Sequence, residues 1–325
     1  MSKLPEQWLY RSQGSILIVA LWALFFLSML ALALNAHISP QVSLASRFKE
    51  RAKSYYLAKA GVKKATQAVA ADKTTGYDAL KDFVNDVEFK NKKVDEGTFN
   101  IDLVDEERKI NINKAQFDVL KRLFEVAAGV TSKEASIVAD CIIDWRDADD
   151  DSRESGAENS YYQTLSPSYP CKNRDFEIVE ELLLVKGINR GIFDKVKNKI
   201  TVYSQGAVNI NTADKLVLES LGISEVLTEK VIQFRNGEDG IEATEDDNVF
   251  DDVSTIVDDL HKMEDLSQEE VNQLSSVIGG GLVAVTSNNF TGKSIGKLKN
   301  RTVLSTITFV FGRDKVIKYW KEQWE

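Results

Sequence analysis

The stretch Ser15–Ala36, SILIVALWALFFLSMLALALNA, contains 22 residues and no charged side chain. A helix needs about 20 apolar residues to cross a bilayer, so this stretch predicts a transmembrane helix. It is too long for the apolar part of an ordinary signal peptide. Two basic residues, Lys3 and Arg11, and one acidic residue, Glu6, precede this stretch. This small excess of positive charge favours a cytosolic N-terminus. The rest of the chain would then lie outside the cytosol.

Helical spacing continues beyond this segment, because apolar residues recur every three or four positions as far as residue 69. The series is Leu44, Phe48, Ala52, Tyr55, Ala58, Val62, Ala65 and Val69. Such a stripe is typical of a helix that packs one face against a globular domain. We therefore predict one helix over residues 15–71, about 80 Å long, with its first 22 residues in the membrane.

A short charged leader that ends in Gly14, followed by an apolar helix that becomes amphipathic, resembles the N-termini of type IV pilins and type II secretion pseudopilins. The resemblance implies a leader over residues 1–14, cut between Gly14 and Ser15 by a prepilin peptidase, and methylation of the new N-terminus. Most relatives carry Glu at the fifth mature position, where this chain has Val19. A carboxylate in lipid is costly unless it is paired, so Val19 suits a tip subunit with no neighbour above it. A plain membrane anchor is the alternative.

The remaining chain predicts an α+β body with a helical block inserted into a sheet. Strands are predicted at 97–104, 282–286, 302–311 and 315–320, and the spacing between 110 and 281 is mainly helical. Because lone strands are not stable, we assign residues 72–109 and 282–325 to one sheet-forming unit. Residues 110–281 form the insertion.

The insertion contains an internal repeat with an offset of 98 residues. Ile110-Asn-Ile-Asn-Lys-Ala115 recurs as Val208-Asn-Ile-Asn-Thr-Ala213, and in both copies a helix is predicted to follow. We expect Asn113 and Asn211 to cap these helices. The second copy also resembles the helix-hairpin-helix modules of DNA-uptake proteins, which favours an alternative function as a membrane-anchored DNA-binding protein. Gly222-Ile-Ser224 lacks the second glycine of the phosphate-binding hairpin, and its flanks are acidic.

An acidic loop between the two copies has the spacing of a calcium-binding loop. Its sequence is Asp147-Ala-Asp-Asp-Asp-Ser-Arg-Glu-Ser-Gly-Ala-Glu158, with Asp at positions 1, 3 and 5 and Glu at position 12. Ser152 occupies the position where an EF-hand requires Gly, so the pattern favours a calcium loop without an EF-hand fold. A solvated acidic loop is the alternative.

The order of motifs around this loop is similar to that of the K-component family of type II secretion minor pseudopilins. The motifs are Lys109-Ile-Asn-Ile-Asn113, Asp144-Trp-Arg-Asp147, Gly156-Ala-Glu158, Tyr161-Tyr162, Lys172-Asn173 and Glu180-Glu-Leu182. The resemblance implies a pilin-like fold, in which a long N-terminal helix packs on a small antiparallel sheet, with a large helical insertion that binds Ca²⁺. The implied ligands are Asp147, Asp149, Asp151 and Glu158, with Asp150, Glu154 and Asn173 in reserve.

The same resemblance implies a tip complex with the I and J minor pseudopilins, with the major pseudopilin below them. The chain would be a single-pass protein of the inner membrane with a periplasmic body, and it would take part in protein export across the outer membrane. In that compartment a disulfide between Cys141 and Cys171, which bracket the acidic loop, is allowed, and we predict it. The net charge of −9 disfavours a nucleic-acid partner. No nucleophile–base pair can be assembled from the sequence, so we expect no enzyme activity.

Overall fold

The computed structural model describes residues 11–72, 76–84, 89–299 and 304–324, with the side chains of 11–14, 83 and 84 left out. The helices are α1 (Arg11–Ala71), α2 (Lys81–Val84), α3 (Phe117–Leu123), α4 (Ser132–Arg146), α5 (Asn159–Tyr162), α6 (Arg190–Val196), α7 (Lys215–Ser220), α8 (Glu225–Arg235), α9 (Ile256–Met263) and α10 (Gln268–Gly279). The strands are β1 (Lys92–Val94), β2 (Gly97–Asp105), β3 (Ile110–Asn111), β4 (Ile200–Thr201), β5 (Val208–Asn209), β6 (Val283–Ala284), β7 (Asn289–Leu298), β8 (Leu304–Gly312) and β9 (Ile317–Trp324).

Helix α1 is one continuous element of 61 residues that runs through Pro40. From Ser15 to Phe48 its large apolar side chains are exposed, and it is the one described helix long and apolar enough to cross a membrane. Its last five turns bury Ala58, Val62 and Ala65, among others, against the sheet. The predicted long helix is therefore confirmed. Its apolar stripe is covered only in the part that lies farther from the membrane segment.

The main sheet is antiparallel, with strand order β1-β2-β7-β8-β9. Strand β7 is central, although the sequence pattern predicts no strand over its residues. Its inward positions include Gly292, Ser294 and Gly296, so it lacks the apolar alternation that marks a half-buried strand. A Cβ on Gly296 would lie 2.1 Å from the carbonyl oxygen of Ser54 in α1, which explains why a glycine stands there. The helix passes directly over this strand.

The insertion leaves the sheet after β2 and returns before β7. It has its own core, built from both repeats, which is separate from the core between α1 and the sheet. The predicted strand at 282–286 forms only at Val283–Ala284, and these residues pair in parallel with β5 inside the insertion instead of joining the main sheet. In the first repeat, β3 occupies the position that β5 has in the second, and it pairs in parallel with β4.

The prediction that Asn113 and Asn211 cap helices is wrong. Gln116 and Asp214 precede α3 and α7, because the chain first makes a turn after each Asn-Ile-Asn sequence. Each asparagine instead exchanges two hydrogen bonds with the backbone of one distant residue. Asn113 pairs with Phe176 in this way (2.8 and 2.9 Å), and Asn211 pairs with Phe250 (2.9 and 2.8 Å). An amide carries both a donor and an acceptor, so it suits this exchange.

Candidate cation site

The acidic loop starts from a firmly held helix end. Helix α4 begins with a capping box between Thr131 and Glu134 and ends at Arg146. The guanidinium of Arg146 donates to the carbonyl oxygens of Ile112 and, at 2.6 Å, of Ala115, both in the first repeat. These hydrogen bonds to residues distant in sequence therefore fix the position of Asp147, where the loop begins.

Aromatic side chains close the inner side of the loop. The ring of Trp145 lies 5.0 Å from that of Tyr162, 6.2 Å from Tyr169 and 6.4 Å from Phe176, measured between centroids. Gly156 allows the chain to return closely over Asp144, since a Cβ there would lie 1.8 Å from a carboxylate oxygen. These contacts shield the ends of the loop from water.

Unpaired oxygen atoms face this shielded region. One carboxylate oxygen of Asp147, both of Glu158 and the amide oxygen of Asn173 are buried, and none accepts a hydrogen bond of normal geometry within the described ranges. Glu158 is only 2 % exposed. A buried, unpaired carboxylate is costly, so such atoms indicate a missing positive partner.

The raised pKa values of Glu158 and Asp147 indicate that these two carboxylates are poorly hydrated and lie close to other negative charges. Burial raises the pKa of Glu158 to about 7, and the charges of Asp144 and Asp147 raise it further. Burial also raises the pKa of Asp147, helped by the charges of Asp149 and Asp144. A cation among these groups would favour their ionised forms and would supply the partner that the protein does not.

The structure divides the four predicted ligands. Asp147 and Glu158 come together, and Asp149 lies beside them, where its carboxylate accepts from the backbone N–H of Asp151 at 2.9 Å. The side chains of Asp149 and Asp151 are both exposed, and no described contact brings that of Asp151 to the unpaired oxygens. Asn173, a reserve candidate, lies next to Asp149, because it donates to the carbonyl oxygen of Asp149 at 2.9 Å while its own oxygen has no hydrogen-bond partner among the described residues.

The residues fit calcium better than other common metals. Within the described ranges, no three His, Cys, Asp or Glu side chains are already arranged to hold a metal ion. The candidate donors are two carboxylates and one amide with buried oxygens, and the exposed carboxylate of Asp149 lies near Asp147. Carboxylate, amide and backbone carbonyl oxygens are the hard ligands of Ca²⁺, whose coordination shell tolerates irregular geometry. Zinc and copper prefer the nitrogen and sulfur ligands that this group lacks.

The predicted disulfide is not formed in this structure. Cys141 and Cys171 are free thiols, and both are buried. Their Sγ atoms lie 3.7 Å from the carbonyl oxygen of Ser155 and 3.8 Å from that of Asp144. Burial raises the pKa of each thiol to about 12, so neither has the thiolate character of a reactive cysteine.

The hairpin between α7 and α8 has the backbone of a helix-hairpin-helix module but the wrong charge for phosphate. Gly222 has a φ of +99°, which gives the sharp turn. The guanidinium of Arg122 lies against this glycine, and nearby Lys215 forms ion pairs with Glu225 at 2.7 Å and Glu229 at 2.9 Å. The lysine is thereby neutralised, so the site disfavours a DNA backbone.

The predicted cleavage junction lies within α1. Ser15 is exposed on the helix, and residues 1–10 of the predicted leader lie outside the described residues. The side chains that follow, Ile16 to Val19 among them, are between 59 and 67 % exposed, as expected for a segment whose solvent is lipid.

Comparisons with known proteins find similar sequences among the K proteins of type II secretion. Residues 97–205 match the family model described as type II secretion system (T2SS), protein K. The chain is 28 % identical over 163 residues to the type II secretion system protein K of Pseudomonas aeruginosa, which covers 47 % of this chain and 48 % of that protein. It is 29 % identical over 86 residues to the putative type II secretion system protein K of Escherichia coli K12, which covers 26 % of each. The chain thus spans about half the length, or less, of these relatives.

The fold is also similar to a chain in the crystal structure of the GspK-GspI-GspJ complex from the type 2 secretion system of enterotoxigenic Escherichia coli. The TM-score is 0.62 at 18 % identity, over 87 % of this chain and 99 % of that one. The pilin-like α+β fold is therefore confirmed, and so is the predicted resemblance to the K component.

Proposed function

We propose that this chain, a relative of the type II secretion K proteins, is the minor pseudopilin that ends a pseudopilus and takes part in protein export across the outer membrane. The place of the insertion carries this proposal. Strand β2 begins at Gly97, beside Leu57 in the last third of α1, and ends at Asp105, where the insertion departs. The bulky insertion therefore sits on the end of the sheet farther from the membrane segment. There it blocks the space that a subunit above would need.

The side of the molecule below the insertion is open to partners. Ile38, Val42, Leu44 and Phe48 lie on α1 beyond the predicted membrane segment and are between 51 and 61 % exposed. At 3.6 residues per turn these side chains form a broad face that covers about half of the helix circumference, and exposed apolar side chains on a helix favour burial against other helices. The solved complex pairs its K protein with I and J proteins. We infer that I- and J-type minor pseudopilins cover this face and that the major pseudopilin continues the filament below.

The remaining parts of the proposal follow from the anchor. One apolar helix fits a single-pass membrane protein. We place the N-terminus in the cytosol, where a prepilin peptidase would cut between Gly14 and Ser15 before methylation, and the body in the periplasm. We assign the chain an assembly role without catalysis.

Co-purification of the full chain in detergent with the I- and J-type pseudopilins of the same organism tests this function. Val42→Glu with Phe48→Glu should abolish the complex. Val226→Glu with Ile241→Glu, which places the same charges at apolar sites of the insertion that are 61 and 60 % exposed, should leave it intact. Absence of a complex with the unaltered chain would contradict the assembly role, and salt-sensitive binding of duplex DNA would favour the alternative.

We also propose that Asp147, Glu158 and Asn173 bind Ca²⁺ in the insertion, together with oxygen atoms of the chain near Asp149. The four buried, unpaired oxygens support this assignment. The ion would neutralise the loop and hold the segment before α5 against the end of α4, which would stiffen the tip.

The disulfide between Cys141 and Cys171 remains a proposal for the exported chain. The thiols are buried close to the same loop, so a bond would add a covalent restraint around it. Thiol labelling of protein denatured without reductant decides the point, because buried thiols are unreactive in the folded chain. Two labelled cysteines would contradict the bond.

A further inference from the structure

Basic side chains collect at the end of the sheet that is nearer to the membrane segment, a region that we call the base. The base consists of α1 residues 46–53, the β1–β2 turn at 92–97 and the end of β7 at 297–299. These pieces meet in space. The backbone N–H of Lys299 donates to the carbonyl oxygen of Glu96 at 2.9 Å, and Lys53 forms an ion pair with Glu96. A cleft of about 480 Å³ runs between Lys49 and Lys299.

The base carries a net positive charge of +5. Three carboxylates, Glu50, Asp95 and Glu96, face eight cations. The cations are Arg47, Lys49, Arg51, Lys53, Lys92, Lys93, Lys297 and Lys299. Except for the partly buried Lys53, all of these cations are exposed. Their charges therefore act outward as well as on each other.

The opposite end of the molecule is strongly acidic. Residues 110–281 contain 17 Lys and Arg against 34 Asp and Glu, which gives a net charge of −17. The rest of the chain contains 24 against 16, or +8. The net charge of −9 thus conceals a separation of charge along the long axis, with the positive pole toward the membrane segment.

The length of α1 sets the height of the base above the bilayer. Ser15–Ala36 spans about 33 Å, which matches a hydrocarbon core of about 30 Å. Arg47 lies 11 residues beyond Ala36, or about 17 Å along the helix, and the headgroup region fills about 5–8 Å of that distance. The tilt usual for membrane helices shortens it further. The long side chain of Arg47, the cation nearest the membrane segment, therefore reaches to within about one Debye length, ~8 Å at 0.15 M salt, of the lipid headgroups.

We propose that the base is a docking surface for the anionic phospholipid headgroups of the membrane that holds the chain. The anchor keeps these cations close to the same bilayer surface at all times, which no freely diffusing partner can match. An anionic surface would attract the base and repel the insertion, so it would also hold the body upright. The contact must break whenever the chain moves out of the membrane. The proposal depends on the anchor and does not depend on a tip role.

Energy transfer between the base and labelled lipid headgroups in nanodiscs tests this proposal with the full chain. The donor dye is attached at Val94→Cys, an exposed and uncharged position in β1, while Cys141 and Cys171 are buried. Transfer is compared between phosphatidylcholine discs and identical discs doped with phosphatidylglycerol. We expect higher transfer with phosphatidylglycerol, and a return to the phosphatidylcholine value at 1 M salt, where the Debye length is about 3 Å.

Charge reversal provides the matched comparison. Lys297→Glu with Lys299→Glu should lower transfer in the anionic discs to the phosphatidylcholine value. Lys133→Glu with Arg190→Glu makes the same change in net charge on exposed residues of the insertion and should retain the anionic-lipid effect. Equal transfer in the two lipids, or an effect that survives reversal at the base, would overturn the proposal. The lipid comparison uses the unaltered chain, so it stands even if a variant misfolds.

Discussion

Glu158 is the residue on which the cation site depends most. It is buried, and neither of its oxygens accepts a hydrogen bond of normal geometry within the described residues. Burial raises its pKa to about 7, although contacts with the Cys171 thiol and the backbone N–H of Asn159 lower it. A group whose pKa is raised on folding stabilises the fold when protonated, and this contribution is lost as the pH rises from about 4.5 through about 7. Without a cation, the folded chain is therefore penalised for this carboxylate at neutral pH.

Glu158→Gln should separate the effect of the charge from the effect of the ion. In the presence of a chelator at about pH 7.5, the variant should melt at the wild-type temperature or above it, because a buried charge is removed. Calcium at about 100 times its dissociation constant should stabilise the wild type by about 2.7 kcal/mol and the variant by much less.

Melting temperatures of the chain in detergent, with calcium and with chelator, check this prediction. Glu154→Gln provides the control, since Glu154 lies in the same loop but is exposed. It should keep the wild-type response. An equal calcium response in the wild type and in Glu158→Gln would rule out Glu158 as a ligand.

Arg313 makes a second prediction at the residue scale. It donates to the buried carboxylate of Asp78, to the carbonyl oxygen of Ser287 at 3.1 Å and to Asp72 at 3.3 Å. Burial raises the pKa of Asp78 to about 6, although the charge of Arg313 opposes this. The stabilisation from protonated Asp78 is present below about pH 4 and is lost as the pH rises through about 6.

Arg313→Met should raise the pKa of Asp78 further and leave that carboxylate without its partner. We expect a loss of about 2–4 kcal/mol at about pH 7.5, below the usual cost of breaking a buried pair because Arg313 is partly exposed. The loss should be smaller at about pH 5, where Asp78 is protonated in the folded variant. Denaturation at the two pH values measures it, and Arg190→Met, whose partner Asp194 is exposed, should cost about 0.5 kcal/mol or less. A pH-independent loss would contradict the account.

At the scale of elements, the contact between α1 and β7 is the closest in the sheet unit. A Cβ on Gly296 would lie 2.1 Å from the carbonyl oxygen of Ser54 and 2.4 Å from the backbone nitrogen of Ala58. Both obstacles are backbone atoms, which cannot rotate away. Gly296→Ala should therefore push the helix from the sheet and destabilise the fold by about 1–3 kcal/mol or more.

Gly279→Ala is the matched control for this substitution. Gly279 ends α10, and a Cβ there would meet nothing within 4 Å. Alanine in a helix should stabilise the chain by up to about 1 kcal/mol. Thermal unfolding of both variants compares them. If Gly296→Ala is as stable as the wild type, the close crossing of α1 over β7 is wrong.

The contact between α1 and β7 shows which part of the fold the sequence patterns could not predict. The long helix and strand β2 could be predicted, because their apolar spacing reports a buried face directly. Strand β7 could not, since its buried positions hold Gly and Ser to admit the helix, and no apolar period remains. Asn113 and Asn211 were assigned the wrong partners because a long-range amide–backbone exchange has no local signal.

The cation site remains a prediction, and the sequence supports only part of the proposed ligand set. The Asp-x-Asp spacing and Glu158 identified the loop, as local patterns can. The spacing could not show that Asp151 stays exposed while Asn173, 22 residues further on, brings an unpaired oxygen to the site. That outcome depends on the fold of the segment after α5.

At the scale of the whole molecule, the anchor, the apolar face of α1 and the insertion follow one another along the long axis. The anchor lies at one end, the exposed apolar face of α1 comes next, and the acidic insertion stands at the far end of the sheet. Partners can approach α1 from the side, but the insertion occupies the space above. This order suits a subunit that begins or ends a filament and does not suit one that repeats within it.

Labelling of pseudopili with gold-tagged antibody against the insertion tests this central claim most directly, with electron microscopy as the measurement. The account predicts gold at one end of each filament and none along the shaft. Gold distributed along the shaft would contradict it, because a subunit with the insertion above its sheet would then be followed by another.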